Sequence, residues 1–154
     1  MNDATEILTT ARDRAQQEGL PYAGAVTPAE AFFLVTSRPG VLIIDVRTNA
    51  ERDWIGRVAI PEERHHWIQW NLYPGGTRNP EFMAQLSAVA SPDQPVLFLC
   101  RSGVRSRHAA ALAAQHGYDS AFDILEGFEG DKDAQGHRKT VNGWCHAGLP
   151  WIGA

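Results

Sequence analysis

The stretch "PVLFLCRSGVRSRHAAALAAQHG", residues 95–117, carries three signals in succession. The first is a short continuous apolar run, "PVLFL" (95–99), of the kind that forms a strand buried on both faces. The last is an alanine-rich segment from about Val104 to His116, which reads as a helix closed by Gly117 in the left-handed position. Between them Cys100 leaves the strand, followed at once by Arg101, Gly103 and Arg105. A strand running straight into a helix is the unit of a parallel α/β sheet, and ligands of such sheets sit beyond the carboxyl ends of the strands. Cys100 falls at such an end.

The same pattern recurs on both sides. "VLIIDV" (41–46) is a second buried strand, ending near Asp45, and "SAFDIL" (120–125) is a third. Thr27-Pro28, with Glu30 in the capping-box position, starts a helix through "AFFLV" that Arg38-Pro39-Gly40 breaks. Asn79-Pro80-Glu81 is expected to open another helix by the same capping logic, running to about Ala90. Thr5 to Glu18 suits a helix with Ile7, Leu8, Ala11 and Ala15 on one side, ended by Gly19 and Pro21. "EGFEG" (126–130) makes a turn. The tail, "GHRKTVNGWCHAGLPW" (136–151), reads as irregular with a short helix near its end. These elements divide the chain into an N-terminal helical arm, 1–24, and one α/β domain, 25–154.

Composition bounds the function. A chain of 154 residues with 44% hydrophobic and 21% charged content is an ordinary globular domain able to bury a core. Its net charge of −4 argues against nucleic acid or an anionic membrane as partner, so the arginines near Cys100 are a local feature. No apolar run approaches the length of a membrane span, and the N-terminus lacks the apolar core of an export signal. Free thiols in a reducing cytoplasm are therefore expected for the two cysteines, Cys100 and Cys145. His65 and His66 are adjacent, His137, Cys145 and His146 lack zinc spacing, and no CxxC occurs, so no metal is expected.

The loop 100–106 reads as an anion site. Gly103 can take a backbone conformation other residues avoid, and successive N–H groups in such a turn point inward. The first turn of the following helix adds unpaired donors and the positive end of its dipole. A thiol held there becomes a thiolate: a free cysteine titrates near 8.5, and sites of this kind pull it down to roughly 3.5–7.5. Arg101 and Arg105 would deepen that effect and recruit an anionic substrate. A lone cysteine after an apolar strand is more often a small buried hydrophobe. Packing alone, however, does not call for two arginines and a glycine ahead of a helix.

"CRSGVRS" (100–106) resembles the active-site loop of rhodanese-type sulfurtransferases. "VLIIDVRTNAERDWIGRV" (41–58) is similar to the family's other signature, an apolar strand ending in Asp-Val-Arg with Glu four residues on. "LEGFEG" (125–130) and "NGWCHAGLPW" (142–151) resemble the end of the domain. The likeness runs from about Ala25 to Trp151. It implies a rhodanese-like three-layer α/β fold, a mainly parallel sheet flanked by helices, with the active-site loop between strand and helix. It also implies a chemistry: Cys100 takes a sulfane sulfur from a small sulfur-containing anion such as thiosulfate, or from a persulfide. It holds the sulfur as a covalent persulfide with no separate cofactor, then passes it to cyanide or a thiol, a protein thiol included. Arg101, Ser102, Gly103, Val104, Arg105 and Ser106 would form the substrate cradle.

Asp45, Arg47 and Glu51 match the second signature and read as structural support, with Arg47 and Glu51 spaced to pair with each other. After Arg47 the chain departs from the family's common Gly-His-Ile-Pro-Gly-Ala. It reads "IGRVAIPEERHHWIQW" (55–70), a longer segment with Arg57 in the usual histidine position; Trp67 and Trp70 are candidates for the pocket's outer wall. His108, about one turn into the helix, is a remote candidate base, and Cys145 a remote candidate resolving thiol. Two rival readings stand beside sulfur transfer. One is a cysteine phosphatase or arsenate reductase, whose loop places its arginine one residue further on; here four residues separate Cys100 from Arg105. The other is a non-catalytic rhodanese-like module that binds and regulates a partner.

Overall fold

A computed structural model describes residues 3–153. In chain order it contains α1 (Ala4–Glu18), β1 (Gly24–Val26), α2 (Pro28–Ser37), β2 (Leu42–Asp45), α3 (Asn49–Ile55) and β3 (Arg57–Val58). A 3₁₀ turn (Glu62–Arg64), β4 (His65–Trp67), α4 (Phe82–Val89), β5 (Val96–Leu99), α5 (Val104–Gln115), β6 (Ala121–Ile124) and β7 (Trp151–Ile152) complete it.

Five strands form one sheet in the order β1-β6-β5-β2-β4, with every neighbouring pair parallel. β3 and β7 make a separate antiparallel pair. The pleat sorts the core into two halves. Leu42, Ile44, Val46, Val96, Phe98 and Cys100 face the layer of α4 and α5. Ile43, Leu97, Leu99, Phe122 and Ile124 face α1 and α2. The central strands β2 and β5 thus bury both faces, which is why their sequence runs are apolar without alternation. The result is the three-layer α/β architecture expected from the sequence.

α2 starts on a complete capping box between Thr27 and Glu30, with Pro28 in its first turn. α1 lays Ala4, Ile7, Ala11 and Ala15 against the domain. It passes so close to β1 that a Cβ at Gly24 would lie 2.3 Å from the Ala11 carbonyl oxygen. Arg14 fastens the contact, donating to Glu30 at 2.7 Å and to the Ala25 carbonyl at 2.8 Å.

Three expectations need correction. α4 begins at Phe82 rather than at Asn79-Pro80-Glu81, because the Asn79 side chain is engaged locally. Its Oδ1 accepts from the Glu81 amide, and its Nδ2 donates to the Gln69 carbonyl and to Gln85. The tail ends in β7 rather than in a helix, with Trp151 and Ile152 pairing to Val58 and Arg57. Arg47 and Glu51 do not pair, because they lie on either side of the α3 N-cap, Thr48. Arg47 turns to Asp45, and Glu51 turns to Arg105.

Candidate active site

The carboxyl end of β5 delivers Cys100 to the α5 face of the sheet. Gly103, at φ +103°, is the N-cap of α5 and closes the four-residue connection, 100–103, from strand to helix. The Gly103 amide donates to the Cys100 Sγ at 3.0 Å. Ser106 Oγ, in the first turn of the helix, lies 3.3 Å from the same sulfur. Cys100 is only 1% exposed and Ser106 is fully buried. The sequence led us to expect several loop amides around the sulfur; among the described residues Gly103 is the one in hydrogen-bonding geometry, and the Ser106 hydroxyl provides the second polar contact. The sulfur sits at the floor of the loop, at the N-terminal end of a twelve-residue helix whose dipole favours negative charge.

The turn after β6 fixes the loop from outside. Phe128 N–H donates to the Cys100 carbonyl at 2.8 Å, and the amides of Glu129 and Gly130 both reach the Arg101 carbonyl. At Gly127, with φ +71°, a Cβ would lie 2.5 Å from Arg101 C, so only glycine lets the two backbones approach. The tail braces that turn in its own right. Trp144 is fully buried and its backbone N–H donates to the Gly127 carbonyl, while Gly143 N–H donates to Glu126 Oε1.

The two loop arginines differ. Arg105 is clamped by Glu51 in a two-pronged ion pair at 2.6 and 2.8 Å. Arg105 is raised above its ordinary value, through the Glu51 hydrogen bonds first, with Cys100 and Asp45 adding to the effect. Although burial opposes it, the clamp holds the Glu51 carboxyl down to about 2. Glu51 also caps α3, its Oε1 accepting from Thr48 N–H. Arg101 is half-exposed, its Nε 3.9 Å from Glu129. Val104 is exposed at the first position of α5, and Ser102 is partly exposed beside it. Neither guanidinium donates to the sulfur.

The second signature serves the opposite face. Asp45 pairs in register with Leu99, so the pleat turns it away from the side of Val46 and Cys100. Its carboxylate is fully buried, taking Arg47 Nη2 at 2.7 Å and the Arg47 amide at 3.1 Å, with Arg52 Nε 3.6 Å away. Arg47 also donates to the Gly56 carbonyl and lies 4.5 Å over the Phe128 ring. Asp45 and Arg47 thus tie β2 to the α3–β3 connection and to the turn that backs the Cys100 loop.

The remaining candidates disperse. Trp70 is buried, with Phe82 edge-on to it and His108 stacked on it at 6.5 Å, so it belongs to the core rather than the pocket wall. Trp67 is exposed on the edge strand β4, with Arg52 4.0 Å over its ring. Arg57 is exposed in β3. His65 is buried beside Trp67 and held down to about 4, by burial first, and so is neutral. Cys145 is partly buried and pushed up to about 11, chiefly by burial, with Lys139 opposing and Glu129 adding. Both cysteines are free thiols.

Sequence reasoning missed two partners of the loop, Glu51 for Arg105 and Asp123 for Ser106. Thr48-x-x-Glu51 was readable as a capping box. The Glu51–Arg105 pair spans 54 residues and has no local signature.

The parallel α/β sheet thus sets a thiol at a strand end, against a glycine amide at a helix start. The chain matches the family model for the rhodanese-like domain over residues 34–134 and belongs to that family. It resembles the crystal structure of Rv0390 from M. tuberculosis, at 38% identity and TM-score 0.77, over 85% of this chain and 98% of that one. The thiosulfate sulfurtransferase GlpE of Haemophilus influenzae (strain PittEE) is 26% identical over 125 residues, 81% of this chain and 90% of the relative. The solution structure of the polysulfide-sulfur transferase homodimer from Wolinella succinogenes shares the fold, at 18% identity and TM-score 0.56, over 98% of this chain and 93% of that one. Sulfurtransferases are thus among its relatives. Among the described residues, no helix is long and apolar enough to cross a membrane.

Proposed function

We propose that this protein is a sulfurtransferase that carries a sulfane sulfur on Cys100. The observation that supports the reading best is the Cys100 sulfur at the start of α5, with the Gly103 amide donating to it. In the first half-reaction the Cys100 thiolate attacks the outer sulfur of thiosulfate, or the terminal sulfur of a persulfide donor. The donor S–S bond breaks and sulfite, or a thiolate, leaves with the electron pair. Cys100 then carries a persulfide whose terminal sulfur is anionic. In the second half-reaction cyanide or a thiol, on a small molecule or a protein, attacks that terminal sulfur and the Cys100 thiolate is released. The helix dipole and the loop amides favour the anionic forms in both steps.

The half-exposed Arg101 is the residue suited to drawing in the anionic donor, while Arg105, spent on Glu51, holds the shape of the loop. Ser102, Gly103 and Val104 form the rim and Ser106 the floor. Asp45 and Arg47 act by positioning. The persulfide is covalent, so the cycle draws on no cofactor or metal, and two unpaired thiols suit a reducing cytoplasm.

With Cys100 1% exposed, only the slender end of a donor reaches the sulfur, which favours transfer of one atom over attack on a phosphate ester. The same burial is the observation that favours a non-catalytic, partner-binding module as the second reading. Conversion of thiosulfate and cyanide to thiocyanate by the purified protein, abolished in Cys100→Ser, is the expected result. Phosphate-ester hydrolysis exceeding sulfur transfer would favour a phosphatase, and absence of both reactions would favour the binding module.

A further inference from the structure

β6 carries a carboxylate where the core calls for a carbon side chain. Phe122 and Ile124 face the α1–α2 layer, so the pleat turns Asp123 toward α5, and Asp123 is only 1% exposed. Burying a lone carboxylate is costly unless it is paired or protonated. Its bonded partner is the Ser106 hydroxyl, which donates to Oδ1 and also touches the Cys100 sulfur. Thiol, hydroxyl and carboxyl therefore form one buried chain, Cys100–Ser106–Asp123.

We propose that Asp123 is the internal acceptor of the Cys100 proton, reached through the Ser106 hydroxyl. The proposal deepens the sulfurtransferase reading and rests on it for its catalytic meaning. In one state the Cys100 S–H donates to Ser106 Oγ and the Ser106 O–H donates to ionised Asp123. In the other, the sulfur proton has moved to Ser106 Oγ and the Ser106 proton to Asp123. Cys100 is then a thiolate receiving the Ser106 O–H and the Gly103 N–H, and Asp123 is a carboxylic acid donating to Ser106. The charge of the group is −1 in both states. Cys100 Sγ, Ser106 Oγ and Asp123 Oδ1 are bonded in both, and no heavy atom has to move. Ionising both ends would place two buried anions across a single hydroxyl, so the pair titrates as a unit.

The groups around Asp123 agree with this. A cavity of about 390 Å³ reaches it, lined from α1 by Glu18, from the α1–β1 connection by Tyr22, from α5 by Arg107, and from beyond β6 by Glu126 and Asp131. Three of these are acidic and Arg107 alone is cationic, so the surroundings supply little to hold Asp123 ionised. Burial is the largest influence and pushes Asp123 up to about 7, against smaller lowering by Ser106 and Arg107. Tyr22 is pushed up to about 12, by burial and then by Asp123. The cavity also touches Ser102 and Gly103, giving solvent a route to Asp123.

The test follows the rate of Cys100 alkylation by iodoacetamide against pH, in the full chain carrying Cys145→Ser. With Asp123 present the profile should show two inflections separated by a plateau, one for each proton of the pair. Asp123→Asn and Ser106→Ala should each reduce it to one, and Ser106→Thr, which keeps the hydroxyl, should retain two. A single inflection with Asp123 present, or two surviving in Asp123→Asn, would overturn the proposal. Asp123→Asn should also fold and resist heat better above about pH 7. A carboxyl held above its ordinary value stabilises the fold fully below about pH 4, and that stability is lost as pH rises through 7. Should a variant fail to fold, the infrared spectrum of the unmutated protein decides. On the plateau a buried carboxylic-acid band should coexist with the ultraviolet absorbance of the Cys100 thiolate; thiolate absorbance without the acid band would overturn the proposal. Sulfur loading from thiosulfate is measured in parallel. Two inflections without loading would refute the sulfurtransferase reading and leave the relay standing, and loading with one inflection would do the reverse.

Discussion

Cys100 and Cys145 lie in one domain and share one side chain, yet the fold treats them differently. Cys100 ends a central strand, accepts the Gly103 amide, touches a hydroxyl and stands before a twelve-residue helix. Cys145 follows Trp144 in the irregular tail. Among the described residues no hydrogen bond reaches its sulfur, and burial pushes it up to about 11. Burial alone makes a thiol inert, whereas burial with donors aimed at the sulfur makes it a place for negative charge. The fold invests in the second arrangement: the turn 125–130, the tail at Gly143-Trp144 and the Glu51–Arg105 clamp all converge on the loop that holds Cys100.

The bluntest way to break the comparison is to exchange the two thiols for hydroxyls. Cys100→Ser should lower sulfur transfer by roughly a thousandfold or more, as expected when a covalent nucleophile is removed. Cys145→Ser should leave it unchanged in a thiocyanate-forming assay. Equal loss in both variants would mean that the tail thiol takes part.

Releasing the clamp gives the next largest effect. Glu51→Gln weakens a charge-assisted pair and part of the α3 cap, and should cost about 2 kcal/mol in chemical denaturation. The sign with pH is fixed. The folded carboxyl lies near 2, below its ordinary 4.5, so its contribution is present above about pH 4.5 and is lost as pH falls toward 2. The gap between Glu51→Gln and the parent should close over that range; a gap that widens on acidification would contradict the clamp.

A subtler change tests the wiring of the sulfur itself. Gly103→Ala forces a side chain onto a backbone at φ +103°, costing on the order of 1–2 kcal/mol, and turns the amide from the sulfur. Cys100 alkylation near neutral pH should slow by about tenfold, with Cys145 alkylation unaffected. The smallest effect belongs to Lys139, whose charge holds the Cys145 thiol lower than burial alone would. Lys139→Asn should push that thiol higher still and slow its alkylation near pH 9 by about twofold, with Cys100 unaffected.

Much of the molecule was legible in its sequence. "VLIIDV", "PVLFL" and "SAFDIL" became β2, β5 and β6 because strands buried on both faces need largely apolar runs, with Asp123 the polar exception in β6. Thr27-Pro28-Glu30 and Gly117 marked helix ends through local chemistry. β4 was not legible: an edge strand with one partner tolerates His65-His66-Trp67, which carries no β pattern. β1 is three residues long and β7 two, too short for any period to show. Asn79 misled because its side chain satisfies backbone groups in a turn as readily as at a helix start. The loop's own residues were readable from their spacing, but the groups that set their chemistry, Glu51 and Asp123, come from distant elements that only the sheet brings together.

Mass spectrometry of the intact protein after incubation with thiosulfate, followed by mapping of the modified peptide, tests the role of Cys100 most directly. The structure predicts a gain of one sulfur atom per chain, carried on Cys100, removed by cyanide and absent from Cys100→Ser. No gain in mass, or a gain that maps to Cys145 or persists in Cys100→Ser, would contradict it.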